Sequence, residues 1–486
     1  MSERPAYATR QLTPELIRIE ENLWEIPASA RPDMRVPARV FADEELLQAI
    51  VGDRSLEQLQ NVATLPGIVE AALAMPDVHQ GYGFPVGGVA ATELPDGVVS
   101  PGGVGYDINC GVRLLALPIA ETELGARREA LVHEFSRAIP AGTGRRLRET
   151  PSMGDLDTVL RDGPQALVAR GIGREDDLER TESRGCLPGA DPGAVSSHAH
   201  ERGAGQLGTA GAGNHFVELQ RVARIFDSIA ADAFGLSEGQ TTVLIHSGSR
   251  GLGHQVCTDH VRTMEAVQER YGIVLPDRQL ACAPASSPEG RRYLAAMAAA
   301  ANFAFANRHA IAHAVRASIE HVLGADAASG TRQVYDVAHN VAKVERHGGR
   351  DVLVHRKGAT RAFAAGSDEI PVDFRGVGQP VFIPGSMGTA SYVLAGEPGS
   401  VRSFGTTCHG AGRTMSRTRA VKTISGTELR RQLEAQGIVV RCPSNKGLAE
   451  EAPFAYKDVE RVIAVVERAG LARRVAQLVP IGVVKG

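Results

Sequence analysis

Asp107 and Cys110 stand three residues apart in YDINCGVR, inside the glycine-heavy stretch PGGVGYDINCGVRLLALP and just before an apolar run. Three histidines can join them. His246 closes the apolar run TTVLI, His339 closes VYDVA, and His215 stands between the glycine turn GTAGAGN and the apolar FVEL. If the strands these runs predict are neighbours, the imidazoles converge at one end of a sheet, where ligands bind in α/β architectures. Two anions and several imidazoles form the donor set of a divalent transition metal, with thiolate and imidazole favouring Mn, Fe, Co or Zn over Mg or Ca. Five donors leave two arrangements open. One is a single ion with supporting groups around it. The other is a pair of ions about 3.5–4 Å apart, bridged by the thiolate, the clamp used in phosphoryl chemistry.

TTCHGAGR, Thr406 to Arg413, offers a different chemistry. The backbone N–H groups of its Gly-Ala-Gly-Arg turn could cradle an anion, with Arg413 as a fork for phosphate oxygens, so His409 could attack phosphorus. A tight turn capped by the histidine has the same local sequence. PGSMGTAS, Pro384 to Ser391, presents hydroxyls on a loop, and Tyr456 and Lys485 are further groups that could hold a nucleotide base. Other motifs fail. HAIAH, His309 to His313, lacks the glutamate of HExxH and reads as part of a packed helix. GSRGLG has neither the order nor the strand–helix setting of a dinucleotide fingerprint, and the P-loop, GxSxG and zinc-deaminase signatures are absent.

The elements that must position these residues are strands abutting glycine. The 54 glycines gather in GVGYDINCGVRLLAL, LGTAGAGNHFVEL, TTVLIHSGSRGLG, DVLVHRKGA, VFIPGSMGTASYVL and FGTTCHGAGRT. Glycine beside a strand marks a tight turn or a close approach of backbone to ligand. Clusters spread from residue 100 to 415 therefore predict one assembled site in a single α+β domain. Helical periodicity marks ETELGARREALVHEFSRAI, RRYLAAMAAAANFAFANRHAIAHAVRASIEHVLG, TELRRQLEAQG and YKDVERVIAVVERAG. From about 150 to 208 the chain reads as loops or short helices over a core, and no internal repeat or linker interrupts the 486 residues.

Hydrophobic residues at 43% and charged residues at 22% exclude a disordered or fibrous chain. With 53 Lys plus Arg against 56 Asp plus Glu, a formal charge of −3, there is no global basic field. RRLR (Arg145 to Arg148) and RTMSRTR (Arg413 to Arg419) are local runs that could line a groove or be solvated faces. Six cysteines without CxxC pairs fit reduced thiols and encode no structural zinc module. MSERPAYATRQLTPELIRIEENLWEIP carries charges where a signal peptide needs an apolar core, and no run of about 18 apolar residues follows, so a cytoplasmic protein without a membrane partner is expected.

MPDVHQGYGFPVGG, GVGYDINCGVR, GTAGAGNHFVEL, HSGSRGLG, AHN, KGATRAF, IPGSMGTASYVL, HGAGR, EEAPFAYKDVERV and the closing KG, in this order from about residue 75 to the last, resemble the RtcB-type RNA ligases, the tRNA-splicing ligase family. The resemblance implies one domain over residues 1–486, with its motif-bearing core from about 75 and a less certain part at 120–208. Its fold would be central β-sheets surrounded by helices, with a metal site at strand ends. The implied enzyme uses GTP and two Mn²⁺ ions to join RNA 2′,3′-cyclic phosphate or 3′-phosphate ends to 5′-hydroxyl ends, in tRNA splicing or RNA repair. It would pass through a histidine-guanylate and an RNA 3′-pp-G end, act on broken or intron-cleaved tRNA, and could take an archease-type activator.

By this resemblance His409 is the nucleophile. Asp107, Cys110 and His215 would hold one ion, and Cys110, His246 and His339 the other. The guanylate would be held by Asn214, His215, Phe216, Glu218, His339, Asn340, Pro384, Gly385, Ser386, Met387, Ser391, His409, Gly410, Ala411, Gly412, Tyr456 and Lys485. Glu218 would select guanine by accepting from N1–H and N2–H. Arg250 and Arg417 would meet RNA phosphates. Cys408, where a serine is common in the family, departs from the pattern and could change the oxidation sensitivity of the site. Two rival readings remain: a metal phosphodiesterase that releases phosphate without joining, and an RNA-binding protein without catalysis.

Overall fold

The computed structural model describes residues 16–146 and 153–486. The N-terminal residues 1–15, and residues 147 and 148 of the RRLR run, lie outside the described residues. Two large sheets organise the chain. The first orders its strands Ile17–Glu20, Leu23–Ile26, Ala38–Phe41, Ala72–His79, Val86–Glu93, Arg350–Lys357 and Asn340–His347. The second orders Arg332–Ala338, Gly111–Ala120, Gln240–Ser247, Phe216–Ile225, Ala472–Lys485, Ser391–Gly396 and Pro380–Ile383, with Val439–Arg441 added parallel to Ala472–Lys485. It nearly closes on itself. Gln379, entering the last strand, donates through Nε2 to Tyr335 Oη of the first at 3.5 Å.

Alternation along the strands assigns their faces. Val243 and Ile245 pack outward on Leu115, Val217 and a helix bearing Ile311, Val315 and Ile319, whereas Leu244 packs inward with Val112, Phe216 and Val393. Both faces are thus buried, so these antiparallel strands read as continuous apolar runs. The covering helix, Pro288–Leu323, is 36 residues long and is capped by Ser287, whose side chain accepts from Gly290 N–H. HAIAH lies within it as expected of a packed helix: His309 is buried 3.2 Å from Arg113 Nη1, and His313 Nδ1 accepts from Gly173 N–H. The fold is the mixed α+β domain the sequence predicts. No helix of the described residues is long and apolar enough to cross a membrane.

One local expectation fails. GSRGLG follows the Gln240–Ser247 strand directly and opens an 18-residue helix, Arg250–Val267, so the strand–helix setting denied to it is present. Glycine weakens helix propensity, but here closeness demands it: a Cβ on Gly253 would lie 1.9 Å from Ser249 Oγ. Of segment 150–208, residues 150–152 lie outside the described residues, and 153–208 is, as read, loops and short helices, among them Met153–Asp162 and Ser197–Gly203.

Candidate active site

Four strand ends meet at one point. Cys110 precedes Gly111–Ala120, His215 precedes Phe216–Ile225, His246 lies near the end of Gln240–Ser247, and His339 follows Arg332–Ala338. Register places Val112 and Phe216 opposite His246, and Ala338 opposite Gly111. Cys110 Sγ therefore stands 3.2 Å from His215 Nε2 and 3.3 Å from His246 Nε2, and His246 Nε2 stands 3.4 Å from His339 Nε2. The DINCG turn is held for this. Asn109 takes φ 53°, a conformation asparagine tolerates. Arg308 of the long helix donates to Asn109 O at 2.8 Å and to Ser247 O at 2.9 Å, while its Nε pairs with Asp336. Gly248 makes room for Asp107, since a Cβ there would lie 2.3 Å from Oδ1.

Asp107 Oδ2 lies 2.8 Å from His215 Nε2, and Arg250 Nη1 faces His215 Nδ1 at 3.3 Å. Arginine only donates, so the neutral ring carries its proton on Nε2 and gives it to Asp107. Burial pulls His246 and His339 well below their ordinary values, which keeps them in the neutral, ligating form. The donors fit a divalent transition metal: a thiol and imidazole nitrogens converge within 4.8 Å, more lone pairs than the available protons satisfy. Binding a cation would expel the Cys110 proton and draw on the neutral ring of His215.

His409 approaches from the opposite wall, its ring centroid 4.8 Å from that of His339. Its Nδ1 lies 2.6 Å from Oδ2 of Asp77, a fully buried residue of the Ala72–His79 strand. The same oxygen accepts the backbone N–H of His409 at 3.1 Å and of Gly410 at 3.3 Å. With Nδ1–H committed to a carboxylate, the Nε2 lone pair is left for the cavity. The turn passes so near that a Cβ on Gly412 would lie 2.0 Å from Asp77 O.

The turn is less open than TTCHGAGR suggests. Gly410 N–H is taken by Asp77, and Arg413 donates to Glu451 Oε2 at 3.0 Å, Tyr456 Oη at 3.1 Å and Glu450 O at 2.9 Å. The reason is Glu451, a buried acid whose partners also include the Tyr456 hydroxyl and Arg417 Nε. Burial would raise its carboxyl, but Lys485, Arg417 and Arg413 hold it below the usual value. Cys408 is fully buried, and burial together with Asp77 pushes its thiol well above the ordinary value. A buried, protonated thiol is poorly reactive, so the expected oxidation sensitivity does not follow.

A cavity of about 890 Å³ joins the two walls, and each of the glycine-rich clusters reaches it, through residues such as Gly105, Asn214, His246, Gly358, Ser386 and Gly410. Phe216, Asn340, Pro384, Gly385, Met387, Ala411, Gly412, Tyr456 and Lys485 also line it. Lys485 Nζ lies 5.5 Å over the Phe216 ring, and burial lowers it to about 8. Glu218 and Ser391 lie beneath the lining, joined by Gln220 Nε2, which donates to Glu218 Oε1 at 2.6 Å and to Ser391 Oγ at 3.1 Å. Arg417 lines the cavity half exposed. Arg250 turns inward to His215 and Thr209.

A model of the family described as "tRNA-splicing ligase RtcB" matches residues 58–486. The chain belongs to the RtcB family. It is 52% identical over 483 residues to the tRNA-splicing ligase RtcB of Thermococcus kodakarensis, across 98% of this chain and 100% of that one. It is 50% identical over 477 residues to the tRNA-splicing ligase RtcB of Archaeoglobus fulgidus, across 97% and 99%. It is 53% identical over 436 residues to the RNA-splicing ligase RtcB of Mycobacterium tuberculosis, across 88% and 100%. In this RtcB-family chain, Asp77, Arg308 and Glu451 are the site residues that sequence reasoning left without a role. Asp77 and Glu451 carried a signal, standing in MPDVHQGYGFPVGG and EEAPFAYKDVERV, whereas Arg308 carried none.

Proposed function

We propose that this RtcB-family ligase joins RNA 3′-phosphate or 2′,3′-cyclic phosphate ends to 5′-hydroxyl ends at the expense of GTP, with His409 as the nucleophile and the whole chain as one ligase domain. The observation that carries the reading is the Asp77–His409 pair, which leaves Nε2 open to a cavity whose far wall is the Cys110 cluster. A 3′-phosphate has no good leaving group, so it must become a phosphoanhydride before an alcohol can displace anything from it. In the first step a bond forms from His409 Nε2 to the α-phosphorus of GTP and the bond to pyrophosphate breaks. An oxygen of the RNA 3′-phosphate then attacks that phosphorus and the P–N bond breaks, returning the electron pair to the imidazole. Finally the 5′-hydroxyl attacks the RNA phosphorus and GMP leaves. A cyclic end is opened beforehand by water to the 3′-phosphate.

Asp107, Cys110, His215, His246 and His339 would hold Mn²⁺, which when bound would neutralise charge on the phosphate oxygens. Asp77 holds the His409 proton on Nδ1 throughout. Glu218, beneath the lining, is the group that can tell guanine from adenine, and Lys485 meets the negative nucleotide. Arg417 meets the RNA phosphates, and Arg250 orients His215. The test is to incubate the protein with α-labelled GTP and Mn²⁺. An acid-labile covalent guanylate that His409→Ala abolishes is expected, together with joining of matched RNA ends; absence of label from the intact protein overturns the reading. Phosphate release without GTP and without joined product would favour a phosphodiesterase instead.

A further inference from the structure

Tyr82, Tyr106 and His254 form a continuous ladder of rings that reaches the cavity through Tyr106. Tyr106 and His254 stack with centroids 4.7 Å apart and planes 27° from parallel, and Tyr82 meets Tyr106 edge-on at 5.3 Å. Folding does not account for them. Neither tyrosine belongs to any of the hydrophobic core clusters, both are half-exposed, and His254 stands exposed on the Arg250–Val267 helix. Two tyrosines and a histidine stacked at the surface, outside the core, call for a ligand with a flat face.

Position supplies the ligand's identity. Tyr106 is chain neighbour to Asp107 and lines the active cavity, while Tyr82 lines a second hollow of about 430 Å³ whose arginines, Arg54 and Arg278, are paired with Glu57 and Glu265. The ladder therefore leads outward from the reacting centre, and exposed rings beside such a centre are where the bases of single-stranded nucleic acid stack. Faces accept any base, as an enzyme acting on varied RNA ends requires.

We propose that His254, Tyr106 and Tyr82 form a stacking ledge for the base of a terminal nucleotide of the RNA being joined. The inference rests on the RNA-ligase reading above and adds to it the place where an RNA end is held. The base could belong to the strand that carries the phosphate or to the strand that carries the 5′-hydroxyl. Two short RNAs separate these, one with 2-aminopurine in its 3′-phosphate nucleotide and one with 2-aminopurine in its first, 5′-hydroxyl nucleotide. Each is titrated with the full chain in the presence of Mn²⁺ and without GTP, so that nothing is joined.

Stacking quenches the 2-aminopurine, and the wild-type chain is expected to quench it in one arm. His254→Ala and Tyr106→Leu are expected to reduce the quench and to weaken binding by on the order of tenfold. His254→Trp and Tyr106→Phe, which keep a ring, are expected to retain both. Equal quenching by wild type and His254→Ala, or no quenching in either arm, overturns the ledge. Covalent GMP uptake without RNA is scored for the same variants, and a joint loss of uptake and quenching assigns the rings to the fold and overturns the ledge too. Failure of the wild-type chain itself to take up GMP would instead strike the ligase reading.

Discussion

Asp77 and His409 are tied through one carboxylate oxygen: Asp77 Oδ2 lies 2.6 Å from His409 Nδ1 and also accepts the His409 and Gly410 backbone N–H groups. Asp77 Oδ1 is buried without a partner among the described residues. A buried carboxylate oxygen left unpaired is costly, so the three bonds to Oδ2 carry the compensation for burying the acid. The tautomer of His409 is therefore a consequence of where Asp77 is buried.

Asp77→Asn tests that pairing. The amide keeps the shape but not the charge: with its oxygen toward Nδ1 and the two backbone N–H groups it no longer stabilises the positive charge that develops on the ring during attack, and the other orientation sets its NH₂ against those two donors. GMP uptake is expected to slow by about 10²–10⁴-fold, the range seen when a histidine loses its orienting carboxylate, while GTP affinity changes only a few-fold. A time course of label incorporation at saturating GTP measures it. An unchanged rate would mean that the contact merely fastens the turn.

Cys110→Ser asks whether the thiol is a ligand. A serine hydroxyl does not ionise near neutral pH and is a poor partner for borderline-soft metals. GMP uptake and RNA joining are expected to fall together, and Mn²⁺ bound per chain, counted by elemental analysis, is expected to drop. Chelation should inactivate the wild type reversibly. Full activity and metal content in the variant would return Cys110 to the role of an ordinary core cysteine.

The donors were legible because histidine and glycine at the edge of an apolar run set local geometry: GNHF, VLIHSG and AHN each announce a strand end. Their convergence was not, since strand neighbours are chosen by packing between distant segments, and His246 faces both Val112 and Phe216. Asp77 meets His409 across 332 residues, a contact no local window contains. Arg308 sits in an alanine-rich helix whose periodicity says only that it is packed. Which carbonyls its guanidinium clamps depends on how that helix is rotated against the sheet. The helix after GSRGLG was hidden because glycine is there for close approach, against its own propensity.

Asp177 and Arg316 pin the loop-rich segment to the long helix, with both carboxylate oxygens on the guanidinium at 2.6 and 2.7 Å. Burial raises the Asp177 carboxyl, but the Arg316 hydrogen bonds and charge outweigh it and hold it below the ordinary value. A depressed carboxyl contributes stability that is complete above its unfolded value, about pH 4, and is lost as pH falls through the folded value. Asp177→Asn, which leaves Arg316 buried and unpaired, should cost about 3–5 kcal/mol at neutral pH. The gap in melting temperature between wild type and variant should narrow as pH falls from about 7 to about 3. A gap independent of pH would refute the assignment.

If GTP is bound as proposed, Glu218 would give its binding the sharpest pH signature. Burial pushes its carboxyl up to about 8, against the Gln220 hydrogen bond and the Lys485 charge, so at neutral pH the empty site holds a protonated acid. Guanine offers two donors, N1–H and N2–H, and a pair of carboxylate oxygens accepts both only after that proton leaves. GTP binding through Glu218 must therefore release a proton below about pH 8, so its affinity should rise by up to about tenfold per pH unit and level off above that value. Glu218→Gln keeps one acceptor and no titration. It should flatten the profile and reduce the preference for GTP over ATP by about 10²-fold or more, because an adenine no longer leaves a carboxylate unpaired. Lys485 also titrates in this range, so the informative quantity is the difference between wild type and variant. Titrating both with GTP and with ATP from about pH 6 to about pH 9, without RNA, gives it. Parallel profiles would remove Glu218 from guanine recognition.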